Sequence, residues 1–203
     1  MTRLALYGGS FNPPHAAHQL VALYVLETQP VDELWFVPTY AHPFGKSLAP
    51  YDDRIAMCEL AAASLGPRAK ISRAEEELAK RPGFTSSRTL DLVDHVIALG
   101  HAPRLVIGTD ILAETAKWYR WNDVIARAPL IVIGRGGHVP EGSVVTGVTM
   151  PEISATEIRA RLADPGPRIG DRVLESLLPG AVLRYIAERN LYLMPSRPEE
   201  PSA

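Results

Sequence analysis

Short apolar runs, each closed by glycine or proline and followed by helical periodicity, recur along this chain, and few folds tolerate that alternation. Runs at 2–7, 34–37, 69–72, 104–107 and 130–133 read as buried strands, and 144–150 as a further extended segment. Helical patterns at 15–27, 51–64, 86–99, 111–117, 155–162 and 181–188 fall between and after them. Strands alternating with helices predict an α/β fold: a doubly wound parallel sheet with right-handed crossovers, helices on both faces and further helices at the C-terminal end. Such a sheet binds its ligand beyond the carboxyl ends of the strands, where the strand order reverses. The first strand ends at Gly8-Gly9, so the chemistry is sought in the residues that follow.

A length of 203 residues suffices for one sizeable core. We expect a single domain over 1–193 and a disordered tail over 194–203, which is rich in proline and glutamate. Hydrophobic residues at 46% and charged residues at 22% match a soluble globular protein. A formal net charge of -2 offers no electrostatic attraction for nucleic acid or an anionic membrane, so neither is expected as a partner. Cys58 is the only cysteine, which excludes an internal disulfide and fits a reducing compartment. The chain opens directly into a strand pattern and no apolar run is long enough to span a bilayer, so a cytoplasmic location is expected.

Three segments carry chemistry. The first is Gly8-Gly9-Ser10-Phe11-Asn12-Pro13-Pro14-His15-Ala16-Ala17-His18. Asn12 reads as a helix cap with proline in the first turn. His15 and His18, three apart, would share a helix face beside free backbone amides and the positive dipole end. Two imidazoles there suit an anion with several oxygens, such as a triphosphate. Gly8 and Gly9 leave room for a phosphate or base against the backbone. The histidine spacing alone also suits a metal, but no third ligand accompanies it, and no protein-held metal is expected. The second segment is Ile153-Ser154-Ala155-Thr156-Glu157-Ile158-Arg159. Ser154 or Thr156 can cap a helix there, so that amides, hydroxyls and Arg159 converge on one anion. The third is Gly108-Thr109-Asp110 with Lys117-Trp118-Tyr119-Arg120-Trp121. An acid at a strand end can hold a ribose hydroxyl, and a tryptophan face can stack a heteroaromatic ring. We assign that face to Trp118 and read Trp121 as core.

The first segment resembles the Gly-x-Phe-x-Pro-x-His-x-Gly-His signature of the adenylyltransferases and cytidylyltransferases, with Ala17 in place of the glycine between the histidines. The second is similar to that superfamily's Ile-Ser-Ser-Thr-x-Ile-Arg motif, with Ala155 for the second serine. The third resembles the Gly-x-Asp … Trp-x-x-Trp region of nicotinate-nucleotide adenylyltransferases. The resemblance covers residues 1 to about 193 and implies a Rossmann-like sheet and transfer of AMP from ATP to nicotinic acid mononucleotide, with release of pyrophosphate, in NAD biosynthesis. It implies His15 and His18 as catalytic, and Gly8, Gly9, Ser10, Phe11, Asp110, Ser154, Thr156 and Arg159 as ATP-binding. It implies that Trp118 stacks on the pyridine ring, with Tyr119, Thr85 and Lys46 completing the mononucleotide site. Mg²⁺ would arrive mainly with ATP. A methyl at Ala17 is expected to press on the adenine or ribose.

Weaker signals surround these. His42-Pro43-Phe44-Gly45-Lys46, with Arg54 downstream, looks like a variant of the family's Pro-Pro-His-Lys loop, and Lys46 is a candidate for the mononucleotide phosphate. Phe84-Thr85-Ser86-Ser87-Arg88-Thr89-Leu90 stands where the family has Tyr-Thr-x-Asp-Thr-Leu; an arginine replaces the aspartate, and amides at 85–87 are expected to receive a carboxylate at a helix start. Arg135, after a strand, is a candidate phosphate contact. Asp52-Asp53 reads as a capping pair. Alternative acceptors are nicotinamide mononucleotide and pantetheine phosphate, and a nucleotide-binding regulator without turnover is the reading of another class.

Overall fold

A computed structural model of the chain describes residues 1–41, 47–112, 114–135, 145–164, 166 and 168–193. Its six strands are β1 (Thr2–Gly9), β2 (Glu33–Pro38), β3 (Ala69–Ile71), β4 (His101–Gly108), β5 (Leu130–Arg135) and β6 (Val145–Met150). They form one sheet in the order β3-β2-β1-β4-β5-β6 with every pairing parallel. The chain winds outward from β1 to β3, returns to pair β4 beside β1, and winds outward again. The order therefore reverses between β1 and β4, and the expected doubly wound α/β sheet is observed.

The pleat divides the strands between two cores. Ala5 faces one side with Leu34, Phe36, Val106, Ile131 and Ile133; Leu4 and Leu6 face the other with Val37, Leu105, Ile107 and Val132. Helix α1 (Ala16–Thr28) closes the first side with a stripe of Ala17, Val21, Ala22, Val25 and Leu26, the spacing of one helical face. Helix α2 (Tyr51–Ala62) adds Cys58 and Ala62 to that side. Helices α3 (Ala74–Ala79), α4 (Thr89–Ala98) and α6 (Trp121–Arg127) close the second. A four-residue turn of helix, α5 (Thr109–Leu112), follows β4. The C-terminal helices are α7 (Ala155–Ala163), α8 (Arg172–Leu177) and α9 (Gly180–Glu188). They meet the far side of α2 in a third core, where Met57 and Ala61 pack with Ile158, Leu162, Leu174, Leu183 and Ile186. Each such fully buried side chain contributes about 1.5–3 kcal/mol. Gly134 marks a close approach of backbone. A Cβ there would lie 2.9 Å from the Val148 carbonyl oxygen, beside a register shift in the β5–β6 pair.

Several local expectations are corrected. Helices α3, α6 and α8 were not expected: at six or seven residues, none repeats an apolar position often enough to show a period. The helix expected over 111–117 is two pieces, α5 and a 3-10 turn at Thr115–Lys117. Helix α4 starts at Thr89 rather than at 86, with Arg88 still extended. Asp52 and Asp53 make no capping bond. Asp52 pairs with Arg73 at 2.7 Å, and buried Asp53 accepts from the Tyr185 hydroxyl at 2.8 Å and from Arg189. The segments 42–46 and 194–203 lie outside the described residues, and with them the expectations for Lys46 and for the tail.

Candidate active site

The loop leaving β1 is held from four directions. Gly9 packs against the Phe11 ring, which a Cβ on Gly9 would meet at 3.2 Å. Phe11 itself takes a positive φ of 44°, a backbone state that a bulky residue adopts only when its surroundings enforce it. Its ring is buried edge-on against Tyr7 and Phe36, so the side chain of this residue, expected at ATP, belongs to the core. Asn12 is not the helix cap. It is buried, its Oδ1 accepts from the Ala49 amide at 3.0 Å and the Tyr192 hydroxyl at 2.9 Å, and its carbonyl accepts from Arg159 at 2.9 Å. Arg54, on α2, is fully buried and donates to the carbonyls of Ser10 and Ala49, both at 3.0 Å. Burial pushes its guanidinium below the ordinary arginine range. These partners lie up to 180 residues away in the chain, so local pattern could not reveal them. The one available signal was an arginine sharing a helix stripe with Cys58 and Ala61.

His15 takes the cap position that Asn12 was expected to fill, with extended backbone before α1. Its amide donates to Nδ1 of His18 at 3.1 Å, and the two rings lie 3.8 Å apart between centroids. Because Nδ1 of His18 accepts that bond, the neutral ring carries its proton on Nε2. His15 is buried and His18 half-buried. Ala17 is also buried, at 2% exposure, so its methyl points into the protein and not toward a ligand, contrary to the crowding expected at that position.

Helix α7 brings the second segment to the same place. Ser154 is its cap and accepts from the Glu157 amide at 3.3 Å. Arg159 donates through one nitrogen to Thr156 Oγ1 at 3.2 Å and through the other to the Asn12 carbonyl. Two helix N-termini, two imidazoles, two hydroxyls and a guanidinium are thereby joined at the end of β1. Positive helix ends, hydroxyls and a guanidinium are the groups that an anion with several oxygens requires.

A second set of contacts follows β2, and the remaining predicted residues are placed as follows. Thr39 donates to the Gly9 carbonyl as the chain leaves β2. Ala41 then pairs with Ser87: the Ser87 amide donates to the Ala41 carbonyl at 3.1 Å, and the Ala41 amide donates to the Ser87 hydroxyl at 3.3 Å. Buried Glu75, on α3, accepts from the Tyr40 amide at 2.7 Å and from the Ser87 hydroxyl. Burial raises its carboxyl above the usual range, and these two donors oppose the rise. Ser87's amide is therefore engaged within the protein, which corrects the expectation that 85–87 offer three amides to a ligand. Thr85 is exposed. Arg88 lies over the Tyr119 ring at 4.6 Å, and Tyr119 adjoins Trp118. Trp118 and Trp121 meet edge to face at 5.4 Å and are both half-buried against the second core, so burial does not separate a stacking tryptophan from a core one. Asp110 is exposed in the first turn of α5, at the end of β4. The Arg135 backbone closes β5, and its side chain lies outside the described set. Among the described residues no group of three or more His, Cys, Asp or Glu is placed to hold a metal ion, and no helix is long and apolar enough to cross a membrane.

Comparison with known proteins agrees with this geometry. Residues 6–161 match the cytidylyltransferase-like family model. The chain is 49% identical over 191 residues to a protein of Anaeromyxobacter sp. (strain K) described as a probable nicotinate-nucleotide adenylyltransferase, covering 93% of this chain and 96% of the relative. It is 36% identical to a Myxococcus xanthus protein of the same description, covering 94% of each. The nicotinic acid mononucleotide adenylyltransferase of Plasmodium falciparum, solved in complex with NaAD, superposes with a TM-score of 0.77 at 20% identity, covering 95% of this chain and 98% of that one, which is a likeness of fold. With the sheet order, the joining of the first two motifs and relatives alike over almost their whole length, the chain belongs to the cytidylyltransferase-like family, among its nicotinate-nucleotide adenylyltransferases.

Proposed function

We propose that this enzyme transfers AMP from ATP to nicotinic acid mononucleotide, yielding nicotinic acid adenine dinucleotide and pyrophosphate, and that the residues gathered at the end of β1 do the work. The observation that carries the assignment of residues is the Arg159 bridge. By holding the Asn12 carbonyl and Thr156 at once, it ties the β1 loop to the α7 N-terminus, which supports reading them as two sides of one phosphate site.

An oxygen of the mononucleotide 5′-phosphate attacks the α-phosphorus of ATP in line. The new O–P bond forms as the bond from the α-phosphorus to the bridging oxygen breaks, and the electron pair leaves with pyrophosphate. The attacking phosphate is already ionised, so no protein nucleophile is required, and catalysis consists of positioning and charge stabilisation. His18 donates through Nε2 to a phosphate oxygen, and its tautomer is set by the His15 amide. His15 acts beside it. Gly8, Gly9 and Ser10 admit the nucleotide against the backbone. Ser154, Thr156 and Arg159 hold the β- and γ-phosphates and steady the leaving group. Asp110 takes the ribose, and Trp118, Tyr119 and Thr85 take the pyridine side. Mg²⁺ enters as part of the ATP substrate. Both substrates are charged metabolites of the cell interior, and we place the reaction in the cytoplasm.

Pyrophosphate release from ATP, followed with nicotinic acid mononucleotide, nicotinamide mononucleotide and pantetheine phosphate side by side, tests this. The acid mononucleotide should be used with the highest kcat/KM. Equal use of acid and amide would refute the acceptor assignment, and no turnover with any acceptor would favour the regulator.

A further inference from the structure

We infer that Arg88 is the group that reads the acceptor's carboxylate, a cation standing where backbone amides were expected. The inference rests on the acceptor assignment above and deepens it. The starting observation is a removal. The Ser87 amide, one of those expected at the carboxylate, is turned to Ala41, and the Ser87 hydroxyl is turned to Glu75. Helix α4 begins only at Thr89, so its first turn lies beyond them. The pocket that would discriminate acid from amide by amide donors has lost one of its three.

The next residue supplies a replacement. Arg88 is extended, exposed and, among the described residues, in no ion pair with a carboxylate. Its guanidinium is seated instead on the ring of Tyr119, 4.6 Å from the centroid. An aromatic face orients a guanidinium without neutralising it, so the full charge and the planar fork of donors remain for a ligand. The backbone beneath it is fixed, because Ser87 is tied to Ala41 and through its hydroxyl to buried Glu75. On the other side, Tyr119 follows Trp118, whose ring is held edge-on by Trp121. A pyridine ring stacked on Trp118 would bring its substituent toward this cation. A carboxylate there accepts two parallel bonds from the fork, whereas a carboxamide turns its NH₂ toward donors and has no charge to offer. The ligand chemistry is thus an aromatic carboxylate, read by charge as well as by hydrogen bonds.

The test is steady-state kinetics of the parent, Arg88→Gln and Arg88→Lys with both mononucleotides at saturating Mg²⁺·ATP, in low and high salt. Thermal melts and titration of nicotinic acid mononucleotide alone accompany the kinetics. Arg88→Gln should lower the acid-to-amide ratio of kcat/KM about tenfold, the scale of one exposed charge-assisted contact. Arg88→Lys should retain part of the preference, and the parent's preference should weaken in high salt. A ratio that survives Arg88→Gln overturns the inference and leaves the proposed function standing. An equal fall with both acceptors, with or without a lowered melting temperature, makes the residue structural and also overturns it. A parent that uses acid and amide equally overturns this inference together with the acceptor assignment.

Discussion

Replacing Asn12 by alanine and Tyr192 by phenylalanine, singly and together, measures how far the C-terminal end of the chain supports the β1 loop. Asn12 is buried at 4% exposure and its Oδ1 accepts from the Ala49 amide and the Tyr192 hydroxyl. Tyr192→Phe removes one donor but leaves Oδ1 with the other, so the loss is that of one hydrogen bond, about 1 kcal/mol. Asn12→Ala is worse, because it strands two donors. At about 1–3 kcal/mol for each buried unsatisfied group the expected loss is roughly 2–6 kcal/mol. Burial desolvates the Tyr192 hydroxyl, so its share of that loss is not relieved by solvent. In the Asn12→Ala background the hydroxyl is already stranded, so Tyr192→Phe should then cost nothing or restore some stability. The double variant should therefore be more stable than the sum of the singles by about 1–2 kcal/mol. Urea unfolding of the four proteins, with the slope unchanged between them, gives the four values. Additivity within about 0.5 kcal/mol would show that the two side chains are uncoupled and would refute the strut.

Other expectations concern the site directly. His18→Ala should lower kcat about 10²–10³-fold with the fold intact, as for loss of one donor to a developing charge, and near-normal turnover at saturating substrates would exclude that role. Ala17→Gly should leave the KM for ATP unchanged and cost about 0.5–1 kcal/mol of stability, since the buried methyl faces the protein and glycine is a poor helix former; a changed KM would place the methyl at the nucleotide after all. Trp118→Ala and Trp121→Ala should both lower the melting temperature, each being half-buried against the second core, but only Trp118→Ala should raise the KM for the mononucleotide. A rise with Trp121→Ala alone would exchange their roles.

What could be read from the chain divides by how far apart the deciding partners lie. The parallel α/β sheet, with chemistry sought after Gly8-Gly9, follows from alternation of apolar runs, because each βα unit announces itself within about thirty residues; the strand order itself comes from the structure. A cap at Ser154 or Thr156 was legible for the same reason, and the structure gives it to Ser154, whose partner, the Glu157 amide, is three residues on. Asn12 was misread because a short polar side chain before a helix has two uses. A cap satisfies one local amide, and local pattern counts only that option. Here Oδ1 satisfies two donors from 37 and 180 residues away, while the cap position passes to His15. Two buried bonds outweigh one at a solvated helix end, so tertiary context wins. Arg54 and Glu75 follow the same physics with charge added. A lone charged residue on a helix pattern is ordinarily solvated, and only the assembled fold shows that one clamps the carbonyls of Ser10 and Ala49 while the other gathers Tyr40 and Ser87. The motif residues name the chemistry, but beside Arg159 the geometry of the β1 loop is also held by side chains outside the three main motifs, Arg54 and Tyr192. A substitution at Arg54 or Tyr192 should therefore raise the KM for ATP without altering any residue proposed to hold phosphate, and an unchanged KM would show that the loop keeps its shape without them.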